Sequence, residues 1–182
     1  MEICSLIYSN KREKDIAKND LLKLYLWLIQ SDPMNSILVI DEVPVIAIGL
    51  QEIFRPLHLP ILLEHTDNLF TVLSSRSYQG KKFDCLIIGE QADRPFPDLS
   101  QSIAEWKGRF GPGRVMLYTP NYAPALIEKM EETGIDAYVH KYEPITEILQ
   151  AWSCLSEGKS YVSAIFHTLY HEYGLHPNQI PL

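Results

Sequence analysis

The chain has 182 residues, 46% hydrophobic and 21% charged, the size and composition of one globular domain that needs no disulfide or metal staple. Sixteen Lys and Arg against 23 Asp and Glu give a net charge of −7, which speaks against a surface built to neutralise phosphates and so against direct nucleic-acid binding. Three distant cysteines, Cys4, Cys85 and Cys154, have neither the number nor the spacing of a disulfide framework or a zinc cluster, and are read as reduced.

The first element is Leu21–Ile29, apolar nearly all round at helical spacing. It is far shorter than the roughly 20 residues of a membrane span, and no signal-peptide cleavage pattern follows it, so a cytoplasmic chain is expected. Such a helix needs cover, from its own domain or from a second copy, and a homodimer is the expectation. The breaker cluster Ser31-Asp32-Pro33-Met34-Asn35 closes this piece. Residues 1–33 carry five basic and five acidic side chains, so the whole acidic surplus lies downstream. The expected organisation is an N-terminal helical extension over 1–33, a domain over 36–158 and a C-terminal helical linker or tail over 159–182.

From residue 36 onward, short apolar runs alternate with segments of helical period. Ile37-Leu38-Val39-Ile40 reads as a strand buried on both faces. The helix after it opens with Pro44, suited to a first turn, and places Ile46, Leu50, Ile53 and Phe54 at helical spacing. Ile61-Leu62-Leu63 makes a second strand. Thr66-Asp67 then caps a helix over 68–75. Cys85-Leu86-Ile87-Ile88 is a third strand, and 98–110 a helix stopped at Gly111-Pro112-Gly113. Val115-Met116-Leu117-Tyr118 is the fourth strand, followed by a helix over 125–132. Ala137-Tyr138-Val139 is the fifth, followed by a closing helix over 145–157. Strands alternating with helices across short connections predict an α/β domain with a five-stranded parallel sheet, doubly wound, with ligands beyond the carboxyl ends of its strands.

At those ends stand Asp41-Glu42, Gly89-Glu90, Thr119-Pro120 and Lys141. Carboxylates suit a hard cation such as Mg²⁺, and a hydroxyl with an ammonium suits phosphoryl oxygens. The competing reading is structural, because acidic residues after strands are common. On the C-terminal helix, His167 and His171 lie four apart with Glu172 and His176 nearby, a zinc-like spacing that lacks a fixed third ligand and is read as a solvated face.

The order of these elements resembles the receiver domain of two-component response regulators, of the type joined to a LuxR-like helix-turn-helix. Ile37 to Pro44 resembles that family's opening strand with its acidic pair and following proline. Thr119 falls where the family keeps a Ser or Thr. The stretch Gly134-Ile135-Asp136-Ala137-Tyr138-Val139-His140-Lys141 resembles its Gly-Ala-x-Gly-Tyr-x-x-Lys segment. The resemblance implies a flavodoxin-like receiver fold, switch residues at Thr119 and Tyr138, and a site lysine at Lys141. It also implies that the chain is not an enzyme, and that its partners are a histidine kinase or another regulator.

The chain departs from the family at one decisive position. The family phosphorylates an Asp at the end of its third strand, and here the apolar run aligns that position with Gly89. Glycine carries no nucleophile, so no acyl phosphate forms there. Glu90 stands one residue late, where strand alternation normally points a side chain to the wrong side. The remnants Asp41, Glu42, Glu90, Thr119 and Lys141 are therefore expected to be non-catalytic. Mg²⁺ at Asp41 and Glu42 is expected to be weak or absent, and no other cofactor is implied. The expectation is a phosphorylation-independent receiver of a transcriptional regulator, acting as a dimerisation and interaction module. DNA would be reached only through a C-terminal module not present in the 182 residues. The alternatives are a phosphorylation switch with an atypical acceptor and a stand-alone receiver-like interaction protein.

Overall fold

The computed structural model describes residues 35–55, 61–89, 97–111, 113–121, 127 and 130–172. The extension over 1–33, with Leu21–Ile29, lies outside the described residues, as do Glu90 and His176.

Strand β1 (Ser36–Ile40) leads into α1 (Pro44–Phe54), β2 (Leu62–Thr66), α2 (Leu69–Ser74) and a 3₁₀ turn at Arg76–Tyr78. Then come β3 (Cys85–Ile88), α3 (Pro97–Phe110), β4 (Arg114–Thr119), α4 (Met130–Thr133), β5 (Ala137–His140) and α5 (Ile145–Ser156). The described part closes with β6 (Tyr161–Val162) and α6 (Ala164–Glu172). All strand pairs are parallel, in the order β2-β1-β3-β4-β5-β6. This is the doubly wound α/β sheet expected from the alternating pattern.

Alternation along the strands divides the core between the two faces. Leu38, Ile40, Leu86, Ile88, Val115, Leu117 and Tyr138 face α2, α3, α4 and α6, where Trp106, Phe110 and Phe166 fill the layer. Ile37, Val39, Cys85, Ile87, Met116, Ala137 and Val139 face α1 and α5, where Leu50, Phe54 and Trp152 pack. The Phe54 and Trp152 rings meet at 4.8 Å and bring α1 and α5 together on that side.

Local chemistry explains most of the boundaries. Pro44 opens α1, and Ala47, Leu50 and Phe54 make its buried stripe. The cap of α2 is Asn68 rather than the expected Thr66-Asp67 pair: Asn68 Oδ1 accepts from the backbone amides of Phe70 and Thr71. Thr66 instead extends β2, whose polar Glu64-His65-Thr66 half hides it from an apolar-run criterion.

Among the described residues the sheet has six strands rather than the expected five. Helix α5 ends in a Schellman turn: Gly158 takes φ +76°, its amide bonds to Leu155 O at 3.0 Å, and that of Lys159 bonds to Cys154 O at 2.9 Å. The turn delivers Tyr161–Val162 alongside β5, pairing Ala137 with Tyr161 and Tyr138 with Val162. Two residues are too few to show a period in sequence, so the tail expected to be helical from 159 starts as a strand.

Candidate functional site

Parallel strands bring the carboxyl ends of β1, β3, β4 and β5 to one edge of the sheet. Backbone bonds fix their relative height: the Asp41 amide donates to Thr66 O at 3.0 Å, that of Gly89 to Ile40 O at 2.7 Å, and that of Lys141 to Thr119 O at 3.2 Å. Asp41, Gly89, Thr119 and Lys141 are therefore neighbours, as the sequence predicts.

Asp41 is fully buried, and both its carboxylate oxygens are engaged. Oδ1 accepts the Val43 amide at 2.8 Å, and Oδ2 accepts the Lys141 ammonium at 2.7 Å. The Lys141 side chain is itself only 8% exposed. A buried pair of this kind is costly to form but more costly to break, on the order of 3–5 kcal/mol when one partner is removed. The Tyr118 ring flanks it, with its centroid 5.9 Å from Lys141 Nζ. Burial, and then the Asp41 charge, push the Tyr118 phenol above its ordinary pKa.

The position of Gly89 explains why the pair can form. A Cβ built on Gly89 would stand 1.7 Å from Asp41 Oδ2 and 2.5 Å from its Cγ. The Asp41 carboxylate thus fills the space that any side chain at 89 would need. Residue 89 is glycine here for steric reasons as well as lacking a nucleophile.

The other expected residues divide. The Thr119 side chain is buried, and its Oγ1 accepts the Asn121 amide at 3.1 Å. Tyr138 is fully buried, with its hydroxyl donating to Asn121 O at 2.8 Å and its ring 4.4 Å from that of Phe166. It contributes no area to an external contact. Glu42, the second residue of the acidic pair, is exposed, whereas Asp41 is buried. His65, which carried no sequence signal, joins the edge from β2: its Nε2 lies 2.9 Å from Asp41 O, so that nitrogen carries the proton. Only the pairing of β1 with β2 could have placed it there.

These residues do not fit Mg²⁺. Both oxygens of the buried carboxylate are already engaged, one by an amide and one by an ammonium that competes with any cation, and the third strand offers no oxygen side chain at 89. Among the described residues no group of three or more His, Cys, Asp and Glu side chains is placed to hold a metal ion.

No protein-family model and no curated protein matches the sequence. Solved structures do match the fold. An isolated REC domain of RcsB from Salmonella enterica serovar Typhimurium, with the phosphomimetic BeF3-, is 16% identical with a TM-score of 0.59, over 74% of this chain and 97% of that one. A LuxR-family two-component response regulator from Aurantimonas sp. SI85-9A1 is 19% identical with a TM-score of 0.62, over 78% and 98%. A structure of two RcsB dimers bound to two parallel DNAs is 17% identical with a TM-score of 0.59, over 75% and 68%. The fold is that of a response-regulator receiver domain.

Proposed function

We propose that this receiver-fold chain is a phosphorylation-independent signalling module of a transcriptional regulator, working through dimerisation and protein contacts rather than catalysis. One observation carries the reading: the Asp41 carboxylate occupies the space of the acceptor position and holds Lys141 in its place. A receiver switch needs an acceptor carboxylate, a cation and a free lysine to gather phosphoryl oxygens. Here the lysine already has its anion, Asp41, immediately after β1. Mg²⁺ binding is accordingly weak or absent.

The similarity to LuxR-type regulators, including dimers on DNA, supports a homodimer and a place in two-component signalling, with a histidine kinase or a second regulator as partner. DNA contact would belong to a separate module, in keeping with the acidic balance of this chain. Among the described residues no helix is long and apolar enough to cross a membrane, in keeping with a cytoplasmic protein.

The test is chemical. After incubation with acetyl phosphate and Mg²⁺, the intact mass is expected to be unchanged. A stoichiometric, hydroxylamine-sensitive phosphate would overturn the reading in favour of an atypical acceptor.

A further inference from the structure

The turn after β5 holds two structures at once. Lys141 reaches inward to Asp41 Oδ2 at 2.7 Å, while two residues later Glu143 Oε1 accepts the Ile165 amide in the first turn of α6 at 2.7 Å. His140, at the start of the same turn, stacks edge-on against Phe166 with centroids 5.1 Å apart, and its amide bonds to Ser163 Oγ at 3.2 Å. We propose that the His140–Glu143 turn couples the buried Asp41–Lys141 pair to the docking of α6, so that the state of the pair sets whether the C-terminal helix stays on the sheet. The inference goes beyond the function proposed above and does not depend on it.

Two further features make α6 an element with a docked and an undocked state. Its docking is specific. Phe166 is fully buried on Tyr138, and Glu147 Oε2 takes both the Tyr161 hydroxyl at 2.6 Å and the Ala164 amide at 3.3 Å. Its docking also carries a cost, because Glu143 Oε2 is buried without a hydrogen-bond partner among the described residues. A desolvated, unpaired carboxylate oxygen costs free energy in the very turn that holds the first turn of α6. Favourable aromatic burial opposed by one unpaired carboxylate oxygen gives a local opening that a neighbouring change can tip.

Hydrogen exchange on the full chain reads this directly. Asp41→Asn is expected to speed exchange in residues 161–172 by about 5- to 150-fold, the usual range for coupled sites, over and above the change in β3 and β4, which reports the loss of global stability. Coupling is reciprocal, so Phe166→Ala should speed exchange of the Val43 amide, which Asp41 Oδ1 holds, by a similar factor. The neutral pair Asp41→Asn with Lys141→Gln serves if the single variant does not fold. Glu64→Gln, which breaks the separate Lys81 pair, should leave α6 untouched. If α6 exchange does not change in the Asp41 variants, or rises only in step with β3 and β4, the coupling does not exist. If Phe166→Ala leaves Val43 unchanged, the same conclusion follows.

Discussion

Adding a single methyl group at position 89 should cost far more than its size suggests. In Gly89→Ala the new Cβ would lie 1.7 Å from Asp41 Oδ2, 2.5 Å from Cγ and 3.0 Å from Cβ. The first two separations are impossible, so the carboxylate must rotate away and leave Lys141. Overpacking alone costs about 1–3 kcal/mol. Breaking the buried pair costs on the order of 3–5 kcal/mol, reduced where Lys141 can reach water at its exposed margin. We expect a net loss of at least about 3 kcal/mol, the low end of the pair contribution alone. For a chain of this size that lowers Tm by roughly 6–12 °C, at about 2–4 °C per kcal/mol. Thermal and urea unfolding followed by far-UV circular dichroism measures it. The same substitution at Gly49, exposed in α1 with nothing within 4 Å of a built Cβ, should instead stabilise by about 0.5–1 kcal/mol. Removing most of the obstruction should remove most of the penalty: in an Asp41→Ala background, where only the Cβ at 3.0 Å remains, Gly89→Ala is expected to cost much less, and the two changes should be strongly non-additive. A Gly89→Ala protein as stable as the parent would refute the idea that Asp41 fills the acceptor space.

Three other outcomes are expected. Trp27→Asp in the apolar N-terminal segment should weaken the proposed homodimer by several kcal/mol if Trp27 is a central anchor, and a chain starting at Met34 should sediment as a monomer or lose solubility; a soluble dimer from Met34 would show the extension to be dispensable. Low-millimolar Mg²⁺ should raise Tm little, since stabilisation depends on ligand concentration relative to Kd, and a large rise would reveal a completed cation site. Burial first, and then the Asp136 and Asp84 charges, push the Cys85 thiol well above its ordinary value of 9.0, and Tyr118 is raised as well. Both groups stay protonated in the folded chain while the unfolded chain ionises. Their contribution to stability is therefore complete below their ordinary values and is lost as pH rises through the folded ones. Unfolding midpoints should fall on the alkaline side, and native Cys85 should resist alkylation at neutral pH; rapid native labelling of Cys85 would contradict its burial.

The central strands were legible because β1, β3, β4 and β5 are buried on both faces and so carry unbroken apolar runs. Strand β2 was misread at its carboxyl half because an edge strand tolerates Glu64 and His65, which an apolar criterion rejects. Strand β6 escaped because its two residues are positioned by the turn at Gly158 and by Glu147, not by any pattern of their own. At the site, the rule that ligands gather beyond strand ends identified Asp41, Gly89, Thr119 and Lys141 together. It did not reveal that the glycine and the aspartate are two halves of one steric arrangement. That relation depends on where the β1 end turns into α1, with the Val43 amide orienting the carboxylate. Likewise Tyr138 was identified as the switch aromatic, but its burial under Phe166 depends on how α6 returns across β5, a long-range contact that no local spacing encodes.

The most direct test of a self-occupied site is a titration with beryllofluoride and Mg²⁺, watched in amide proton–nitrogen correlation spectra. Beryllofluoride mimics a phosphoryl group only where a free carboxylate can ligate it beside a cation and an available lysine. With Asp41 bonded to the Val43 amide and paired with Lys141, and with no carboxylate at 89, the amides of Asp41, Gly89, Thr119 and Lys141 are predicted not to shift at reagent concentrations that saturate phosphorylatable receivers. Saturable shifts confined to those four amides would show that the pair opens to accept the ligand, and would contradict the account.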